Sequence, residues 1–94
     1  MNPIFREAAR IGYQQGRAAI QHGECDIVST PEDRGLSVVR ASARIASQRY
    51  LRQSPAHADL DPADQAYLRA IFQRTFAIGA LDAVMERNQQ RELK

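Results

Sequence analysis

The sequence predicts an all-α fold: a three-helix antiparallel bundle over about residues 3–22, 31–53 and 62–88, with the third helix central and a second copy completing the core. Three observations predict it. A cap-then-proline opening recurs at Asn2-Pro3, Thr30-Pro31 and Asp61-Pro62. The polar residue can accept from orphan N–H groups, and proline at the first helical position sacrifices no hydrogen bond. Apolar residues then recur with helical period in each stretch. Finally, Ile27-Val28 is a scrap of strand character with nothing to pair with, so it serves better as a plug for the end of a bundle.

The first helix runs from Pro3 to Gln21 or His22, and Gly23 is its natural stop. Ile4, Ala8 and Ile11 mark one face; Phe5, Ala9, Gly12, Gly16 and Ala19 mark another. Glycine inside a helix costs about 1 kcal/mol relative to alanine. Gly12 and Gly16, four residues apart in a line of small residues, therefore predict a groove where another backbone comes close, within the chain or between subunits.

Gly23 to Ser29 reads as a linker. In the second helix Leu36, Val39, Ala43, Ala46 and Tyr50 form one seam, while Val38, Ala41 and Ile45 lie on another side. Val38 and Ile45 are thus candidates for a dimer contact. Between the seams sit Arg40 and Arg44 on one flank and Arg49 and Arg52 on the other.

Ser54 to Leu60 is a proline-containing turn into the third helix, which Asp61 caps and Asp64 favours electrostatically. Tyr67, Ile71, Ile78 and Met85 fall on one line of that helix. Leu68, Phe72, Gly79 and Ala83 make a second, and Ala66, Ala70, Ala77, Leu81 and Val84 a third. A helix apolar on most sides is expected to be buried as a central post. Arg74 and Asp82 interrupt its apolar surface, either reaching water or a neighbouring helix, or making an ionic contact with a partner. The polar tail from about 88 to 94 is expected to fray.

Ninety-four residues suit a single domain with a modest core. Fifteen alanines against thirteen leucines and isoleucines combined give little apolar area per residue, which favours close helix packing, oligomerisation or both. No basic segment followed by an apolar run opens the chain, and charges break its longest apolar stretch, so a soluble cytoplasmic protein without a membrane contact is expected. A single cysteine, Cys25, excludes an intrachain disulfide. The basic residues are twelve arginines and one lysine, a choice explained by coding bias or by a need for guanidinium contacts.

Catalytic chemistry finds little support. His22, Cys25 and a His57 folded nearby would leave a zinc ion short of its four ligands, and no third group orients a Cys–His pair. Asp59, Asp61 and Asp64 imitate a calcium loop, but Pro62 intrudes and capping explains them. There is no phosphate-cradling glycine loop. The residues resemble no known family. Neither an enzyme nor a cofactor is expected.

The expected function is a non-catalytic protein-protein interaction module, an adaptor, assembly factor or inhibitor docking on a larger complex. Its candidate contacts are Arg40, Arg44, Arg49 and Arg52, with Arg74 and Asp82 beside them. The rival is a small arginine-rich nucleic-acid-binding protein using the second helix. Glu32 and Asp33 offset that charge locally, no aromatics interleave, and the linker is too long for a compact helix-turn-helix.

Overall fold

The computed structural model describes residues 3–22, 32–53 and 55–92, and the backbone alone at 32–38, 55–56 and 91–92. The fold is a three-helix bundle: α1 (Pro3–Gln21), α2 (Glu32–Gln53) and α4 (Pro62–Glu92), with a one-turn α3 (Pro55–Ala58) between the last two. Among the described residues there is no strand. The linker from Gly23 to Ser29 and the Thr30-Pro31 signal lie outside the described residues.

Consecutive long helices reverse direction, so α1 and α4 run the same way. Phe5 meets Tyr67 edge-on at 5.0 Å between ring centroids, while Arg17 meets Glu86 near the other end. Helix α2 runs opposite, with Tyr50 stacked on Phe72 at 4.9 Å and Ser47 beside Gln73. Helix α4 packs extensively on α1, less on α2, while α1 and α2 touch little. It is the shared element of the bundle, and at 31 residues it spans about 46 Å of the 49 Å long dimension.

The core explains this arrangement. Phe72, Phe76, Ala80 and Ala83 of α4 cluster with Ala19 and Ile20 of α1 and with Val39 and Ala43 of α2. Ala46 and Tyr50 pack against the cluster, so the described part of the α2 seam faces inward. Small residues in α1 let α4 come very close. A Cβ on Gly16 would strike the carbonyl of Phe76, and one on Gly12 would lie 2.7 Å from the carbonyl oxygen of Phe72. Gly79 reciprocates: a side chain there would strike the carbonyl of Tyr13. Alanine's low bulk is thus converted into proximity, with more dispersion contact per buried residue.

The turn into α4 is tied by local bonds. The Asp61 carboxylate accepts from the Asp64 N–H at 2.8 Å, the N-cap contact. Gln65 donates to the carbonyls of His57 and Leu60. His57 is buried and lies 4.7 Å from the Tyr50 ring.

Two expectations are corrected. The segment from Ser54 to Leu60 contains a helical turn, because proline at position 55 presets its first residue. Helix α4 continues to Glu92, a turn beyond the expected end near 88: residues 86–92 include several straight-chain helix formers, and Arg17 holds Glu86 in place. In keeping with a post that the chain's own helices do not fully cover, α4 is not shielded all round. Tyr67, Ile78, Leu81 and Met85 are 52%, 45%, 45% and 60% exposed, because α1 and α2 occupy adjoining sectors and leave the third open.

Candidate docking face

Arg40 and Arg44 lie one helical turn apart on α2, and Arg74 projects from the open sector of α4 beside them. Together with Ala43, Ala70, Gln73 and Ala77 they line a groove of about 380 Å³ between the two helices. Its floor is alanine methyl and its rim is guanidinium. All three arginines are exposed, no acidic residue lines the groove, and no ion pair among the described residues involves them. Three like charges held in one place without a counter-ion repel one another, and a carboxylate or phosphate arriving there would relieve that repulsion.

Beneath this groove the polar fastening between α2 and α4 is sparse. The fully buried Ser47 hydroxyl donates to the Arg44 carbonyl at 2.8 Å and accepts from Gln73 Nε2 at 3.0 Å.

The other margin of the open sector behaves differently. Asp82 accepts a hydrogen bond from the Tyr13 hydroxyl at 2.7 Å. Arg17 makes a bidentate contact with Glu86, at 2.9 and 2.7 Å, and lies over the Tyr13 ring at 5.8 Å. The Asp82 bond raises the Tyr13 pKa, because ionising the phenol would forfeit it. Hydrogen bonding to Arg17 lowers the Glu86 pKa, and the same contact with Glu86 raises that of Arg17. On the α1 margin Glu86 is therefore ion-paired and Asp82 hydrogen-bonded inside the chain; among the described residues Arg40, Arg44 and Arg74 have no acidic partner.

The remaining sequence candidates are dispersed. Arg49 and Ile45 line a second groove, of about 320 Å³, between α1 and α2, with Gln15, Ala18 and Ser42. Ile45 is 59% exposed. Arg52 is exposed and borders neither groove. The side chain of Val38 and all of Cys25 lie outside the described residues. Gly12 and Gly16 are buried against α4, so the close approach they serve is within the chain.

The suggestion that His57 folds near His22 is corrected. His22 follows the end of α1, beyond Arg17 and Glu86, whereas His57 stands at the opposite end of the bundle, by Tyr50. Among the described residues no group of three metal-ligating side chains converges. Among them, too, no helix is long and apolar enough to cross a membrane.

Sequence reasoning missed Tyr13, Arg17 and Glu86. A signal existed: Tyr13 and Arg17 are four apart, as are Asp82 and Glu86, and such pairs present matching ladders on neighbouring parallel helices. The groove itself joins residues from two helices, and its arginines carried no mark in the sequence that would separate them from Arg49 and Arg52.

No protein-family model matches the chain, and neither a curated protein nor a solved structure matches it significantly.

Proposed function

We propose that the chain is a non-catalytic docking module that binds another protein through the groove of Arg40, Arg44 and Arg74, as an adaptor, assembly factor or inhibitor would. The supporting observation is that three exposed guanidiniums converge on one groove with no acidic residue among its lining. The exposed apolar side chains on the adjoining sector of α4 favour a protein surface over a nucleic acid, whose backbone offers them nothing. A homodimer formed through that sector is the competing use of the same surface. Nucleic-acid binding through α2 is the second functional reading, favoured by the exposure of Arg49 and Arg52 alongside Arg40 and Arg44.

The test is capture from native lysate with and without nuclease, using wild type and the triple variant Arg40→Gln, Arg44→Gln, Arg74→Gln. The side chains are exposed and make no ion pair among the described residues, so helicity and melting should stay within about 0.5 kcal/mol of wild type. A defined set of proteins should survive nuclease and be lost with the triple variant. Retention that vanishes with nuclease, together with affinity falling steeply with salt, would move the assignment to nucleic acid.

A further inference from the structure

The open sector of α4 has a register that individual exposures do not reveal. Tyr67, Ile71, Arg74, Ile78, Leu81 and Met85 are spaced four, three, four, three and four residues apart. That is a period of 3.5, the spacing of a seam that packs against one further helix along its length. The seam runs about 27 Å, and apart from half-buried Ile71 each of its residues is exposed. Phe5 covers only one edge of Tyr67. A strip of that length and about 10 Å wide, matched by an equal area on a partner, amounts to on the order of 500 Å² in total, below the roughly 1,200 Å² of stable protein interfaces, so the seam by itself suits a weak contact that a charged rim must reinforce.

Charge decides between the occupants. In a second copy packed antiparallel, Tyr67 would face Met85, Ile71 would face Leu81, and Arg74 would face Ile78. The two-fold axis would then bring both α2 margins to the same side, setting Arg40, Arg44 and Arg74 against their own images. A parallel pair would put Arg74 against Arg74 in register. In neither arrangement does the lining of the groove supply an acid, and of the acids on the α1 margin Glu86 already pairs with Arg17 while Asp82 accepts from Tyr13. A partner helix bearing carboxylates along the matching margin meets no such repulsion and completes the groove with charge-assisted hydrogen bonds.

We infer that this face seats an acidic amphipathic helix of another protein, its apolar seam laid along Tyr67 to Met85 and its carboxylates set over Arg40, Arg44 and Arg74. This rests on the docking role proposed above and names the class of partner. Such a helix is about five turns long, and it occupies the sector that α1 and α2 leave open.

The test uses two synthetic helical peptides of about 20 residues with the same leucine and isoleucine seam. One carries glutamate along one margin; the other carries lysine there. Fluorescence anisotropy titrations compare them on wild type, on the triple arginine-to-glutamine variant, and on an Ile78→Ser, Met85→Ser double variant. Circular dichroism checks that each protein is folded, and Leu81→Gln replaces the double variant if that one melts early. The glutamate peptide should bind wild type at least about ten-fold more tightly than the lysine peptide. The triple variant should lose that preference, and the apolar variant should lose both peptides. Equal affinities, or no binding of either peptide, overturn the inference. Glutamate-peptide binding that survives Ile78→Ser and Met85→Ser overturns it while leaving an arginine-based docking role intact. Sedimentation of wild type alone as a dimer that Ile78→Ser dissociates also overturns it, in favour of a second copy.

Discussion

Helix α4 is held by two neighbours in two different ways. Against α1 the contact is backbone to backbone, with glycines on both helices, Arg17 paired with Glu86 and Asp82 hydrogen-bonded by Tyr13. Against α2 the contact is made by side chains: Tyr50 stacks on Phe72, Ser47 bonds Gln73, and a groove stays open above Ala43. The first contact is closed in geometry and bonded along its polar margin. The second leaves space and three arginines with no acidic partner among the described residues. In a chain this poor in bulky residues, the closed contact supplies rigidity, and the open one leaves the surface proposed above for docking.

The largest effect expected from breaking this contrast is at Gly16. Helix propensity alone would make Gly16→Ala stabilising by about 1 kcal/mol. The added methyl would instead strike the Phe76 carbonyl, and a backbone group cannot rotate away as a side-chain tip can. Packing should win, with a net loss of about 2 kcal/mol and a fall in Tm on the order of 10 °C. Ala70→Leu, an enlargement at an exposed position lining the α2–α4 groove, should change stability by less than about 0.5 kcal/mol. Thermal melts of the two variants measure the contrast directly. Equal tolerance at both positions would show that the α1 contact is not closed.

A smaller effect is expected at Ser47. Its hydroxyl is fully buried and links the α2 backbone to Gln73, so Ser47→Ala removes one bond in each direction. Gln73 is only half-buried and can turn to water, which limits the cost to about 1 kcal/mol. A urea midpoint measures it. A Ser47→Ala midpoint equal to that of wild type would mean that α2 is held by apolar packing alone.

Much of this contrast was legible in the residues, because its causes are local. The proline-and-cap signal at Asp61-Pro62 marks a real helix start, and the Val39, Ala43, Ala46, Tyr50 seam turns inward as its period requires. Gly12 and Gly16 announced a close approach through their intrinsic cost in a helix. What could not be read was the identity of their neighbour, since period fixes which residues share a face but not what that face meets. The same limit explains α4. Counting apolar positions showed a post with more apolar sides than its own chain can cover, but which sector stays open depends on where α1 and α2 arrive. Arg74 shows the limit most plainly: on its own helix it is an interruption, and only the placement of α2 makes it the third member of a cluster with Arg40 and Arg44.

The smallest expected effect concerns the polar margin that closes the α1 contact, and its pH dependence has a definite sign at each end. Glu86 is held below its ordinary 4.5 by the hydrogen bonds from Arg17. A depressed carboxylate stabilises the fold above its unfolded pKa, and that contribution is lost as pH falls through the folded value. Tyr13 is raised above its ordinary 10.0 because its hydroxyl donates to Asp82. That contribution is complete below the unfolded value and is lost as pH rises through the folded one. The margin should therefore hold steadily across the neutral range and weaken at both extremes, only slightly, because these groups are solvated and screened by salt. Urea midpoints across pH at low salt should show that Glu86→Gln removes part of the acid-side decline and Tyr13→Phe part of the alkaline one. Tyr50, whose pKa is raised by burial, should keep the rest of the alkaline decline in place. If the difference between wild type and Glu86→Gln does not change with pH, the Arg17–Glu86 pair contributes shape to the margin and no electrostatic hold.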